Sequence, residues 1–342
     1  SLRLYAKREH ADCNITITFT DSSTFTSFDA DNTAKWYDIT GAAGKTISTI
    51  AFPSSNNATT WYGIEVDGSL LIDNSIYPHF TATNLTAEGY GSADAASTFS
   101  AVTWSGTGSN RSLTGVGFQP DFAWIKCTSD AAGHRLFDSV RGSQKSLRPH
   151  TDDEEDATSE YGYVSAFNSD GVTLTNGSHG SHPAGDTNHS GRNYVGWFLK
   201  AGGTAVSNSD GDITSSVSAN PNKSFSIVTW TSDGHSGLKS VGHGLGKEPD
   251  MVIVKNRSDT SNNGNWQVYF STYSNKVRDY MFLNEKDGVV TSGADIWGTT
   301  SSTFSFRQTS LFDNGELGVA YCFANVTGIV KVGSYTGNGN NS

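Results

Sequence analysis

The chain has 342 residues and a formal charge of −11, with 17% of its residues charged. That balance excludes the clustered basic surface a nucleic-acid partner needs, and no run approaches the roughly 18 apolar residues of a membrane-spanning helix. Gly, Ser, Thr and Asn are abundant beside 8 Trp, 13 Tyr and 18 Phe, a mixture that points to short β-strands with aromatic cores and polar loops.

Residues 1–80 read as a first module. SLRLY, NITITF, KWYDIT, TISTIAF and WYGIEVDGSLLID are strand-like runs separated by Ser, Asn, Asp and Gly clusters. The last resembles the final strand of galactose-binding-like jelly rolls, turning at Val66-Asp67-Gly68-Ser69. Five visible runs against the usual eight lead to the expectation that this module begins upstream of Ser1. Residues 81–97 are a connector of low hydrophobicity. A first repeat spans 98–206, with a long polar interval at 130–193. That interval holds the short apolar-spaced HRLFDSVRG, the acidic HTDDEED, and YGYVSAFNSDGVTL, which reads as a hairpin around Ser169-Asp170-Gly171. A joining segment, 207–223, is read as adding an edge strand. It leads into a second repeat ending at 327, whose interval carries NWQVYFSTY, YMFLNE and the turn Lys286-Asp287-Gly288.

The two repeats are visible in the residues themselves. FSAVTWSGTGSNRSLTGVGFQPDFAWIKCT from Phe99 aligns with FSIVTWTSDGHSGLKSVGHGLGKEPDMVIVKNR from Phe225. Phe99 matches Phe225, Trp104 matches Trp230, Pro120-Asp121 matches Pro249-Asp250, and Lys126 matches Lys255. Val172-Thr173-Leu174 matches Phe304-Ser305-Phe306, and YVGWFLK from Tyr194 matches GVAYCFA from Gly318. A period of about a hundred residues is that of a tandem array of small domains, not of a short-repeat solenoid. Both tryptophans are expected in equivalent cores, with Phe99 and Phe225 both buried. Residues 328–342 echo only the opening strand, with Tyr335 in the place of Trp104 and Trp230. A lone strand cannot bury its apolar face, so the polypeptide is expected to continue into a third repeat.

F-S-I-V-T-W, then V-G-H-G-L-G-K-E-P-D-M-V-I-V-K-N-R, then Y-V-G-W-F-L-K-A-G-G resembles a repeated domain of marine bacteriophage virion proteins, found in tail-fibre-like and other structural proteins. The DSVRG stretch of that family stands here at 138–142, and the second repeat lacks it. The resemblance implies location in the virion, as part of a symmetric assembly of copies of this chain with other virion proteins.

Chemistry-bearing patterns are sparse. Glu65-Val66-Asp67 puts two carboxylates on one strand face, but at a turn, where Asp-Gly is ordinary; no nucleophile elbow, Walker loop or zincin motif occurs. No enzyme is expected. His179, His182 and His189 share one glycine-rich loop, with His150 and Asp186 as neighbours to consider, and could gather a transition metal. The acidic run 152–156 and Asp210-Gly211-Asp212 offer oxygen ligands for Ca2+. No cofactor is otherwise called for. Cys13, Cys127 and Cys322 lie in three modules and read as buried apolar residues, not disulfide partners. Sugar-stacking candidates are Trp36, Tyr37, Trp61 and Tyr62 in the first module. Trp266, Tyr269 and Trp297 join them in the second repeat, the two tryptophans because they lack counterparts in the first.

The expected fold is all-β: tandem β-sandwich domains of jelly-roll or lectin-like type, a partial jelly roll followed by two homologous sandwiches. The expected function is a phage virion structural protein, a tail-fibre or surface-appendage component presenting loops to host-surface glycan. A purely architectural decoration or shaft protein is the alternative, and a polysaccharide depolymerase a third.

Overall fold

The computed structural model describes residues 2–8, 16–26, 35–39, 45, 47–51, 59–66, 69–71, 98–258, 264–307 and 311–335. The fold is all-β, with no helix among the described residues, and divides into two compact units, Ser1–Ala95 and Ala96–Ser342. The expected connector at 81–97, Cys13, and the Asp67-Gly68 corner lie outside the described residues.

Among its described residues the first unit has seven strands: β1 (Leu2–Arg8), β2 (Thr16–Phe19), β3 (Thr24–Thr26), β4 (Lys35–Asp38), β5 (Ile47–Ala51), β6 (Thr59–Val66) and β7 (Ser69–Leu71). They form two antiparallel sheets, β4-β1-β6-β7 and β3-β2-β5. The expected last hairpin is present, with Val66 paired to Ser69. Alternation in TITF buries Ile17 and Phe19 while the threonines between stay half-exposed.

The second unit contains both repeats. Repeat 1 comprises β8 (Phe99–Ser105), β9 (Arg111–Leu113), β10 (Phe122–Cys127), β11 (His134–Asp138), β12 (Tyr163–Asn168), β13 (Gly171–Thr175) and β14 (Asn193–Leu199). The joining segment supplies β15 (Val206–Asn208) and β16 (Ser215–Ala219). Repeat 2 comprises β17 (Phe225–Asp233), β18 (Leu238–Gly242), β19 (Met251–Asn256), β20 (Gln267–Phe270), β21 (Asp279–Phe282), β22 (Val290–Thr291), β23 (Trp297–Thr299), β24 (Thr303–Arg307) and β25 (Asn314–Phe323).

Each repeat pairs a large sheet with a small one. The large sheet of repeat 1 runs β11-β10-β14-β8, and the corresponding run in repeat 2 is β20-β19-β25-β17. The small sheets, β12-β13-β9 and β23-β24-β18, correspond likewise. Register agrees residue by residue. Trp104 pairs with Tyr194 and Trp230 with Gly318; Phe122 pairs with Leu199 and Met251 with Phe323; Val172 pairs with Leu113 and Phe304 with Val241.

The repeated Pro-Asp has a mechanical reason. In repeat 1 the Asp121 side chain accepts from the Ser139 hydroxyl at 2.9 Å and the Ala201 N–H at 2.8 Å. In repeat 2 Asp250 accepts from the Ser271 hydroxyl at 2.9 Å and the Asn325 N–H at 2.7 Å. One carboxylate thus ties the ends of three strands in each copy.

The strands FAWIKC, MVIVKN and GVAYCF are nearly continuous apolar runs because the large sheets are covered on both faces. Ala123, Ile125 and Phe198 face the small sheet of repeat 1, while Val252, Val254 and Cys322 face that of repeat 2. The opposite faces meet each other: Phe122, Leu136 and Leu147 pack with Phe225, Ile227, Trp266, Val319 and Tyr321 in one shared seam. The two sandwiches therefore stack as four layers with three apolar interfaces. Each fully buried large side chain at the seam contributes roughly 1.5–3 kcal/mol.

The structure departs from three expectations. Trp104 and Trp230 are both buried, but Phe99 is 49% exposed where Phe225 is 1% exposed. Phe225 sits in the seam against Phe122 and Phe323, whereas β8 forms the outer edge of its sheet and contributes no residue to the seam cluster. Within the segment expected to open a third repeat, residues 331–335 are in no strand and Tyr335 is 94% exposed, while 336–342 lie outside the described residues. The joining segment adds two strands, not one, beside β17. Cys127 and Cys322 are free and buried, as expected.

Candidate functional site

The polar interval of repeat 1 folds over the exposed edge of β11 and onto repeat 2. Leu136 bridges to Leu147 and Ser146 to Asp156, so residues 146–148 run alongside the edge strand. Arg135 and Arg141 hold this arrangement from inside. Arg135, 2% exposed, donates to Asp186 at 2.7 Å and to Asp156 at 3.1 Å. Arg141 pairs with Asp138 with both side chains fully buried, and reaches Glu155 at 2.9 Å. Burial alone would lower the Arg141 pKa, but Asp138, Tyr321 and Glu155 raise it, so its charge is secure.

DSVRG is thereby explained: its Asp and Arg form a buried joint to the other repeat. The Tyr321 hydroxyl donates to Asp138 at 2.7 Å, and Arg257 grips Glu155 through two bonds of 2.8 Å. Further bonds support the loop from repeat 2. The Trp266 indole N–H donates to the Arg148 carbonyl at 3.1 Å, and Lys255, fully buried, donates to the Asp152 carbonyl at 3.1 Å.

On this base the segment 148–161 encloses a cleft of about 560 Å³, lined by Arg148, Tyr161 and the acidic run. A smaller hollow of about 250 Å³ beside it shares Arg148, Asp153 and Tyr161 and adds His150 and Asp186. Asp153 accepts from Arg148 and the Thr151 hydroxyl, each at 2.8 Å, and these bonds hold its carboxyl below the usual range. Burial raises Asp156, but bonds from Ser159 and Thr158 and the charge of Arg135 outweigh it and keep the pKa low. For His150, burial and then Arg135 and Arg148 lower the pKa, so the ring is neutral near pH 7. The cleft offers ionised acceptors, an arginine donor and the ring of Tyr161. That is the equipment for hydroxyl-rich ligands. The carboxylates of the acidic run expected to bind Ca2+ are in part spent on arginines: Asp153 on Arg148, Glu155 on Arg141 and Arg257, Asp156 on Arg135.

Tyr161 also begins a ladder of rings. It stacks on His179 at 4.5 Å, His179 on His182 at 5.8 Å, and His182 lies 5.1 Å from His189. The three histidines do come together, but His150 and Asp186 stay apart from them. His150 lies beside His134, and Asp186 is bound to Arg135. Among the described residues no group of three or more His, Cys, Asp or Glu is arranged to hold a metal ion.

The aromatic candidates of repeat 2 are corrected outright. Trp266, Tyr269 and Trp297 are 0%, 1% and 1% exposed and cannot present a ring to a sugar. Register shows why the tryptophans seemed to lack counterparts: Trp266 precedes β20 at the place of His134, and Trp297 faces Phe306 as Val164 faces Leu174. They are packing substitutions at shared positions. In the first unit, Trp36 pairs through its backbone with Tyr5 and Trp61 with Ala6, with Tyr62 the extra residue of a β-bulge between Trp61 and Gly63. Tyr37 pairs with Leu4. Of the working residues of the cleft, Asp153 belongs to the acidic run read as a Ca2+ candidate, while Arg148 and Tyr161 carry no signal beyond the length and polarity of the interval.

The second unit is thus a pair of homologous antiparallel sandwiches fused through a shared seam, with a polar cleft on one of them. Residues 94–342 match a family described as a domain of unknown function, DUF7483, and the chain belongs to that family. The match spans both repeats, in keeping with the single compact unit they form. No curated protein and no solved structure matches the chain.

Proposed function

We propose that this chain is an adhesive structural component of a phage virion, in a tail fibre or surface appendage, and that the cleft of repeat 1 binds host-surface glycan. The virion setting rests on the resemblance of the repeated strand and turn sequences. The observation that carries the adhesive reading is the asymmetry between repeats: on one frame, repeat 2 fills its interval with buried aromatics, while repeat 1 opens a polar cleft braced from beneath by Trp266, Lys255 and Arg257. A pre-braced cleft binds with less ordering cost, and many copies in a symmetric assembly multiply modest affinities. Asp153, Glu155 and Asp156 are all held below ordinary carboxyl values, whereas a glycosidase acid needs a raised one. That favours binding over cleavage.

An array of bacterial surface polysaccharides probed with the whole chain tests this. Tyr161→Ala should abolish retention on the glycans that hold the parent protein, while its thermal midpoint stays within a degree or two. Absence of any retained glycan, or retention unaffected by Tyr161→Ala and Arg148→Ala, would favour the architectural reading. The buried arginine joint between the repeats already suits that reading.

A further inference from the structure

The loop 176–192 ends in a histidine pair that glycan binding leaves unused. His182 Nδ1 and His189 Nε2 stand 3.2 Å apart. A cation holding both nitrogens at the usual length of about 2.0–2.1 Å would subtend an angle of roughly 100–105°, between the tetrahedral angle and the right angle of neighbouring ligands in a tetragonal shell.

The rings are held in place. His189 Nδ1 donates to the Ser190 carbonyl at 2.8 Å, which leaves the lone pair of the neutral ring on Nε2. A ring N–H resting on a backbone carbonyl is the outer-shell contact that metal-bound imidazoles usually carry. The His189 backbone N–H donates to the hydroxyl of Tyr194, a core residue, at 2.9 Å. From the other side, the His182 N–H donates to His179 Nδ1 at 3.1 Å. The loop backbone is stapled as well, with His179 N–H on the Glu160 carbonyl and Asp186 N–H on that of Tyr161, both at 3.0 Å.

We propose that His182 Nδ1 and His189 Nε2 form a two-imidazole site for a first-row divalent cation, Cu2+ in preference to Zn2+ or Ni2+ by the usual order of affinity, with water completing the shell. His179 is a positioning residue: its Nδ1 is occupied by the backbone of His182. On binding, His182 keeps one proton, which moves from Nδ1 to Nε2, so neutral rings exchange hydrogen bond for metal with no net proton release. Acid competes with the cation, since only neutral imidazole coordinates.

The tag-free full chain is titrated with CuCl2, and separately with ZnCl2, by calorimetry; the Cu2+ complex is then read by electron paramagnetic resonance. One Cu2+ per chain is expected, with splitting from two nitrogen donors. His182→Ala and His189→Gln should each weaken uptake by at least about tenfold, since even outer-shell changes cost that much. His179→Ala should weaken it less, and circular dichroism should match across the three variants. No saturable uptake, or equal uptake by the parent, His182→Ala and His189→Gln, overturns the site and leaves a plain ring-to-ring hydrogen bond.

Discussion

Where β11 ends, repeat 1 carries Asp138 and Arg141; where β20 ends, repeat 2 carries Phe270 and Tyr273 in the same register. The first pair is a buried ion pair and the second an edge-to-face ring contact at 5.5 Å. The serine between them keeps its place, with Ser139 and Ser271 each bonding the Pro-Asp carboxylate at 2.9 Å. The exchange runs the other way in the cores. Trp104 stacks on Tyr194, whereas Trp230 lies over Gly318 and is packed by Phe304, Phe306 and Phe312. One frame therefore accepts polar or aromatic completion at the same corner. The polar version binds across the seam and leaves a cleft; the aromatic version fills its own space.

The comparison breaks most sharply at Arg141. Arg141→Met strands the buried Asp138 carboxylate and should cost about 3–5 kcal/mol of the second unit's stability. Denaturation followed by tryptophan fluorescence reads it, since six of the eight tryptophans lie in that unit. Copying repeat 2 with Asp138→Phe and Arg141→Tyr together should lose less than the summed single changes, because the unpaired charge is gone. Equal loss would mean the charge pair is not what matters.

The matched phenylalanines come next. Phe225→Ala should cost about 3–5 kcal/mol and Phe99→Ala under about 0.5 kcal/mol, measured in the same assay. Similar values for the two would contradict a seam that covers Phe225 and leaves Phe99 outside. Trp266→Phe removes the bond to the Arg148 carbonyl, about 1 kcal/mol, and also part of a fully buried ring in the seam, so the total loss should exceed that of the bond alone. The substitution should also loosen the cleft and lower glycan retention measurably; unchanged retention would separate brace from cleft.

The smallest effect is in pH. Burial raises Glu155, but Arg257 and Arg141 outweigh it and hold the carboxyl below its ordinary 4.5. Its contribution is complete above that value and is lost as pH falls through the lower folded one. His134, His150 and His243, of which only His243 is fully buried, titrate below their ordinary 6.5, chiefly through desolvation. The fold prefers them neutral, so stability starts to fall as pH drops below 6.5. Glu155→Gln should flatten only the acid limb of a thermal-midpoint profile. Flattening near 6.5 instead would misassign the joint.

Sequence patterns exposed the frame because strand alternation and the Pro-Asp corner are local and were written twice. The cross-seam joint was invisible for the opposite reason. Asp138 and Tyr321 are 183 positions apart, and nothing in DSVRG names its partner. Exposure misled the reading of Trp266 and Trp297: lacking a tryptophan in the other copy looked like surface freedom, while His134 and Val164 held the same sites with smaller rings and chains. The histidines of residues 179–189 were legible as a cluster, but which nitrogens face each other depends on backbone bonds that spacing does not specify.

In each repeat the first strand lies beside the last, at the end where the polypeptide comes in and goes out: Phe99 against Leu199, Phe225 against Phe323. Tension applied across repeat 1 alone would open β8 from β14 one hydrogen bond after another, like a zipper, instead of loading the whole ladder in shear. A tug along the chain would therefore be carried first by the Lys200–Thr98 bond of 2.9 Å. Beyond it, resistance falls to the seam, where Phe225 and Tyr321 clamp the neighbouring sandwich. Mechanical strength in this molecule belongs to the union of the two repeats and not to either one.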